Sequence, residues 1–455
     1  MTIELFNGGL KANPYFIIFN SILIFHFIYS YWKYSYVKGF KVDYWHYSIF
    51  IGYVLPYMLI YPFAASPFNS ISTGNQIYIL DDYVDQAYLV TIIGYIFTYI
   101  GFYYFNFTYK NSYIYKITNS LNTKLSKPVN VIRESESVRA ILIFVTLTCF
   151  LSFYMLVFVK YGFSMNLRGY MLADGTLRPI YNFIMISIIP FMLSIIIMLY
   201  KDEKKLGYLI ICFIIIGIMS FSGSRGNLLW PILNCIVIIL MAKQNKASSW
   251  KLVGIGVLFL FTALFLENFR KSDINSTGFL MGLANRILYG NNFSDLRDFA
   301  WVLAYWDDTA LMGKSYLAAL MSFLPREISD FRQHFSISVF TNNLVGFNSD
   351  EHAGLRPGKF GEVYFNFKIY GVAVYGFLTG YILRYTDFKI KENIINSNGH
   401  QYVYLFSLTI LQYLVSYTFV TAGFWKVYVT IVFLLLIWFL KLLLRNPFYN
   451  PKWNQ

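Results

Sequence analysis

Long apolar runs, broken at intervals by short polar loops, dominate the chain. A helix needs roughly 20 mostly apolar residues to cross the hydrocarbon core of a bilayer. By that measure the pattern predicts eleven spans, at about 14–32, 45–65, 88–108, 140–160, 180–200, 207–222, 227–242, 252–267, 361–383, 401–420 and 427–444. The pair 207–222 and 227–242 is short and joined by Ser222-Gly-Ser-Arg-Gly-Asn227, so its length allows two short spans or a helical hairpin that stops partway. One long polar interval, about Asn268 to Phe360, interrupts the series. The sequence thus divides into an N-terminal bundle of about eight spans at 1–267, a large loop at 268–360, and about three C-terminal helices at 361–455. No fixed-period repeat is visible. The stretch 109–138 mixes Lys, Ser, Asn and Glu without an evident core and reads as a linker. The predicted fold class is an all-α polytopic membrane protein.

Composition agrees. Of 455 residues, 57% are hydrophobic, 21% aromatic and only 13% charged, against about 25% charged in soluble domains. The net charge of +14 raises nucleic acid as a partner, but the basic residues sit in short clusters between apolar runs, the pattern of cytoplasmic loops. Nucleic acid is therefore not expected. Lys33, Lys38 and Lys41 form one cluster, and Lys110, Lys116, Lys124, Lys127, Arg133 and Arg139 another. Lys201, Lys204 and Lys205, then Lys243, Lys246 and Lys251, and finally Arg384, Lys389, Lys391, Lys441, Arg445 and Lys452 continue the series. The loop 66–87 holds Asp81, Asp82 and Asp85 and no Lys or Arg. The positive-inside rule then puts the N-terminus and the large loop outside and the C-terminus inside. Met1 to Asn13 lacks a basic region followed by a small-residue cleavage site, so the first span is expected to stay as an anchor. Cys149, Cys212 and Cys235 lie in apolar runs without CxxC spacing and read as small buried hydrophobes.

Arginines the orientation rule does not explain mark the candidate chemistry. Arg168 and Arg178 lie in the outer loop 161–179, Arg225 at the hairpin tip, and Arg270, Arg286, Arg297, Arg326, Arg332 and Arg356 in the large loop. Each alone reads as a surface or headgroup-contacting residue. As a group, planar and always charged, they suit a lipid-linked phosphate or pyrophosphate. Arg225, flanked by Gly223 and Gly226 and by Ser222 and Ser224, has the best context for close backbone approach. In Gly361-Glu-Val-Tyr-Phe-Asn-Phe367, Glu362 and Asn366 share a helical face. An acid in a span is a site candidate, with a favourable helix-terminus charge as the plainer reading. Gly371, Gly376 and Gly380 suit close helix packing. His334 and His352 are candidate bases, since a histidine side chain ordinarily changes charge near neutrality. No HExxH, Asp-x-Asp, G-x-S-x-G or Walker loop occurs, so neither metal nor nucleotide chemistry is indicated.

Together, the many spans, the large late loop, the Ser-Gly-Ser-Arg-Gly turn before it and the Gly-Glu-x-Tyr-x-Asn-Phe segment after it resemble the O-antigen and capsular polysaccharide repeat-unit polymerases (Wzy). The segment Trp306-Asp-Asp…Gly313-Lys-Ser-Tyr-Leu-Ala-Ala-Leu-Met-Ser-Phe-Leu-Pro-Arg326 is similar to that family's loop. The resemblance covers most of the chain as topology and roughly 220–380 as motifs. It implies a GT-C-like glycosyltransferase in the plasma membrane, working at its outer face without cofactor or metal. A growing glycan on undecaprenyl pyrophosphate would pass to the sugar hydroxyl of a new lipid-linked unit, with a chain-length regulator and a flippase as possible partners. Arg225, Arg286, Arg326 and Arg332 are the expected pyrophosphate or glycan contacts, with Arg168, Arg178 and Asn366 beside them. Glu362, His334 and Asp308 are the candidate bases or orienting groups, in that order. A glycan ligase with the same donor, or a flippase or other transporter of it, are the alternatives.

Overall fold

The computed structural model describes residues 14–60, 81–109, 112–162, 167, 170–171, 174, 176–222, 225–244, 254, 294–324, 328–347, 354–396 and 401–444. Among these no strand occurs. The helices, in chain order, begin with α1 (Pro14–Tyr31, wound on to Tyr36), α2 (Tyr44–Ile49, continuing as a wider helix to Ile60) and α3 (Asp81–Thr108). Next come α4 (Tyr113–Glu134), α5 (Glu136–Tyr161), α6 (Leu177–Glu203), α7 (Leu206–Ser222) and α8 (Arg225–Ala242). Four short helices follow, α9 (Asp295–Tyr305), α10 (Lys314–Leu320), α11 (Asp330–Phe335) and α12 (Ile337–Val345). The chain closes with α13 (Gly358–Asn396), α14 (Tyr402–Ser407), α15 (Ile410–Thr418) and α16 (Trp425–Leu443).

Among the described residues, five helices are long and apolar enough to cross a membrane: Tyr15–Tyr36, Tyr83–Thr108, Glu136–Tyr161, Leu177–Glu203 and Trp425–Leu443. They correspond to the expected spans at 14–32, 88–108, 140–160, 180–200 and 427–444, as befits an α-helical membrane protein. The expected span at 401–420 is instead broken into α14 and α15. That at 361–383 is part of the 39-residue α13, interrupted at Phe367 and Lys368. The span at 45–65 is helical to Ile60, and 252–267 falls outside the described residues apart from Gly254. α7 and α8 have 17 and 18 residues, somewhat short of a full crossing.

Three sequence expectations are corrected. Residues 113–134 are not a coreless linker but the helix α4, packed against α14 and α16. Its Thr118, Asn122, Ser126, Val129 and Ile132 are buried. Spaced by three or four, they form one face, which the surrounding lysines disguise. Asp81, Asp82 and Asp85 do not sit in a loop but in the opening turns of α3. Negative charge is favoured at a helix N-terminus. Arg384 and Lys391 are not loop charges either; both are buried within α13 and drop out of the orientation tally.

By packing, the chain forms two compact units that interleave in sequence. The first comprises Met1–Asn111, Ser272–Asp387 and Val415–Phe424; the second comprises Ser112–Lys271, Phe388–Leu414 and Trp425–Gln455. In the second, α6 lies against α7, α8 and α14, and α16 lies against α4. In the first, α9 packs on α3 and α12, and α10 and α12 border the turn Thr421–Gly423. The contact between α3 and α13 is backbone to backbone: a Cβ on Gly380 would overlap the Thr98 carbonyl, and one on Gly376 would stand 2.5 Å from the Gly94 carbonyl. The packing role read for these two glycines is thus what the geometry requires. Gly380→Ala is expected to destabilise by about 1–3 kcal/mol, because the obstacle is backbone and overpacking outweighs alanine's helix preference. Gly217→Ala on α7, where nothing lies within 4 Å, is expected to be neutral or slightly stabilising. Thermal unfolding of both variants in detergent checks the contrast.

Candidate functional site

The site begins where α13 begins. Gly358 adopts φ +70°, and Gly361 has no room for a side chain, since a Cβ there would stand 2.7 Å from Pro357 and 2.9 Å from Phe299 of α9. This close approach seats the next residue, Glu362, inside the first unit at 2% exposure. One turn later Asn366 is fully buried. Past it the helix breaks: Phe367 has φ −136° and Lys368 φ +54° with ψ −152°.

The carbonyls at the break find partners in another segment. Leu311 N–H donates to Phe365 O at 2.9 Å and Met312 N–H to Asn366 O at 3.1 Å. The Asn366 side chain completes the seam, accepting from Gly313 N–H at 3.1 Å and donating to Ser315 Oγ and Glu362 O, each at 2.8 Å. Three donors then converge on the Glu362 carboxylate. Ser315 Oγ donates to Oε1 at 3.2 Å, Thr421 N–H to Oε2 at 3.0 Å, and the Thr421 hydroxyl also donates to Oε1. A carboxylate offers about four acceptor positions. Oε1 is filled and Oε2 keeps one position for a further donor.

Around this centre the backbone is strained. Of five non-glycine residues with positive φ among those described, three stand here: Asp308 (+64°), Met312 (+50°) and Lys368 (+54°). Each such conformation costs on the order of 1–3 kcal/mol, and such outliers gather at functional sites. The Lys368 ammonium binds the Asp308 carboxylate and lies 3.9 Å from the centre of the Trp306 ring. Thr309 N–H donates to Asp307 Oδ1 at 3.0 Å and holds that carboxyl below its ordinary range. Trp306 meets Phe365 at 4.9 Å, and Tyr316 stacks on Phe367 at 6.0 Å.

The sequence candidates therefore part company. Glu362 and Asn366 come together as expected, joined by Ser315 and Thr421, which the sequence did not single out. Asp308 lies beside them but is exposed and ion-paired. His334 is exposed on α11, its Nδ1 donating to the Asp330 carbonyl at 2.7 Å, which leaves Nε2 as the basic nitrogen. Arg332 donates to the Ser322 and Leu324 carbonyls and so braces the turn after α10. Arg297 pairs with Asp298 at 3.2 Å and Arg356 approaches Asp295 at 3.9 Å. Arg178 is exposed at the start of α6, and Arg225 opens α8, both in the second unit. Arg168, Arg270, Arg286, Arg326 and His352 lie outside the described residues, as does the Arg225 side chain. No three His, Cys, Asp or Glu side chains converge as a metal-binding group among the described residues.

Comparison with protein-family models, with curated proteins and with solved structures finds no match.

Proposed function

We propose that the chain is a membrane glycosyltransferase that polymerises undecaprenyl-pyrophosphate-linked oligosaccharide units into a surface polysaccharide. The observation that carries this reading is the buried Glu362 carboxylate, fixed by Thr421 and by a Ser315 that Asn366 holds in place, within the very segment that resembles the polymerases. A carboxylate held this way is oriented before substrate arrives, and its open Oε2 position suits an acceptor sugar hydroxyl. As that hydroxyl attacks the anomeric carbon, its proton passes to the carboxylate, and the bond to pyrophosphate breaks. The donor carries its own leaving group, so the chain needs only cations to stabilise the departing charge. Arg225, Arg286 and Arg326 are assigned that role, with Arg168 and Arg178 as a second set. Arg332 braces the turn after α10. Trp306, Tyr316 and Phe367 offer ring faces to sugars.

Purified protein given only lipid-linked repeat units is expected to build a ladder of longer glycans, and Arg225→Ala to lose it while still inserting. Elongation that requires a second, different acceptor would make the protein a ligase. Translocation of the lipid-linked unit without elongation would make it a flippase. The reading also requires 268–360 to face away from the cytoplasm. Reporter fusions in that interval are expected to be active only for periplasmic or external reporters, and the opposite result ends the proposal.

A further inference from the structure

The helix α10 is built inside out. Ser315, Ala318 and Ala319 are its buried residues, while Leu317 and Leu320 are each 49% exposed. A helix on the surface of a water-soluble body does the reverse, turning leucines to the core and hydroxyls to solvent. The exposed apolar surface continues on both sides of the helix, through Met312 before it and Phe323 and Ile328 after it. Exposed polar residues bound the stretch, with Asp307 and Asp308 ahead of it and Asp330 and Gln333 behind. An apolar patch rimmed in this way marks a surface that meets protein or membrane.

Contacts between α13 and α3, all within the first unit, set the depth of this surface. Gln86 Nε2 donates to the Tyr364 hydroxyl at 3.5 Å. Gln86 lies about 4.5 Å of helical rise inside Tyr83, where the membrane-crossing length of α3 starts. Further along, Gly376 meets Gly94 of the same span. Between these two contacts stand Phe365 and Asn366, whose carbonyls accept from Leu311 and Met312 N–H. Between them too stand Tyr370 and Val374, exposed one turn apart on α13. Since α10 follows Met312 almost at once, it is tied just inside the start of a span.

Backbone bonding in the turn after α10 suits the same surroundings. Met321, Ser322 and Leu324 N–H donate to the Leu317, Ala319 and Met321 carbonyls at 3.0 or 3.1 Å. The Ser322 and Leu324 carbonyls, left over by the turn, accept from the Arg332 guanidinium. In water, solvent supplies such donors. Beside acyl chains no solvent is at hand, and the protein must supply them itself. The long arginine stem lets a charge on α11 reach the turn while its own helix stays among polar residues.

We propose that α10 and the turn after it are set into one leaflet of the bilayer, with Leu317, Leu320 and Phe323 among the upper acyl chains of its phospholipids. Amphipathic segments at a membrane surface bury their apolar side to about this depth. Lipid, rather than a second copy of the chain, is the occupant because the face is anchored level with a span and its backbone carbonyls are already capped. Ser315, on the opposite side of α10 from Leu317, donates to Glu362 Oε1 at 3.2 Å. The membrane thereby fixes the height of the carboxylate, whichever reaction that carboxylate serves.

The test uses the full-length protein in vesicles of phosphatidylcholine and phosphatidylglycerol. Cys149, the exposed native cysteine, is replaced by serine, and Leu320→Cys, Phe323→Cys, Tyr370→Cys and Gln333→Cys are spin-labelled one at a time. Dissolved oxygen, which concentrates among acyl chains, is expected to relax the labels in Leu320→Cys and Phe323→Cys as it does in Tyr370→Cys. A water-soluble nickel chelate should lose its effect on all three, and Gln333→Cys should show the reverse order. A nickel effect in Leu320→Cys and Phe323→Cys equal to that in Gln333→Cys overturns the proposal. Shielding from both agents also overturns it, because protein, a second copy included, then covers the face. Where a labelled variant elutes aggregated, the unmodified chain decides: a phospholipid with a photoreactive diazirine in its acyl chain should mark residues 317–324, and their absence from the marked peptides overturns the proposal. The measurement needs no glycan substrate, so its failure leaves the transferase reading standing, and the converse holds.

Discussion

Glu362→Gln is expected to abolish glycan elongation while leaving the protein folded. Glutamine has the same shape, but its amide nitrogen is a donor set among donors. One end must face either Thr421 N–H at the Oε2 position or the Ser315 and Thr421 hydroxyls at the Oε1 position. The hydroxyls can turn away and the backbone N–H cannot, so the amide oxygen settles on the Oε2 side. The mismatch costs about 1–3 kcal/mol, an amount a folded domain of 5–15 kcal/mol can absorb. The proton acceptor, however, is gone. Chain-length ladders from purified variant and wild type, beside their unfolding temperatures, separate the two effects. A normal ladder from Glu362→Gln would remove the carboxylate from the mechanism.

The largest stability loss is expected at the opposite end of α13. The Arg384 guanidinium donates to Asp387 Oδ2 at 2.6 Å and to Asn106 Oδ1 at 2.9 Å, and it lies 4.7 Å from the Phe102 ring. Asp387 Oδ1 accepts from Tyr44 N–H at 3.1 Å. The two side chains are 4% and 0% exposed, so solvent screens them little. Arg384→Ala strands a carboxylate in the interior and Asp387→Ala a guanidinium. Each is expected to cost about 3–5 kcal/mol, whereas replacing both with apolar residues of similar volume is close to neutral. The strongly non-additive cycle is the signature. Additive losses of a few tenths each would mean that the pair is solvated.

The apolar runs were enough to place the five long helices, because hydropathy over some 20 residues depends on nothing outside the run. Features made by contact were not legible. Nothing in Phe367-Lys368, which lacks glycine and proline, marks a break; it exists because residues 311–313 supply donors for the freed carbonyls. Glu362 stood out as an acid in an apolar run, and Asn366 by its spacing. Ser315 and Thr421 carried no such mark, since hydroxyls are common in apolar helices and Thr421 lies 59 residues away. Arg384 was misread because a charge near the end of a run looks like a loop charge until its partner is seen.

The wide separation of Glu362 from Thr421 bears on how the protein is made. Ribosomes add about 5–20 residues per second, so Glu362 emerges on the order of 3–12 seconds before the threonine 59 positions later that supplies two of its donors. During that delay the acid waits in a half-built nest, with Ser315 but not Thr421 beside it. A nascent chain stalled before Thr421 would expose this immature state to quality control, and addition of the segment from Thr421 onward would close it.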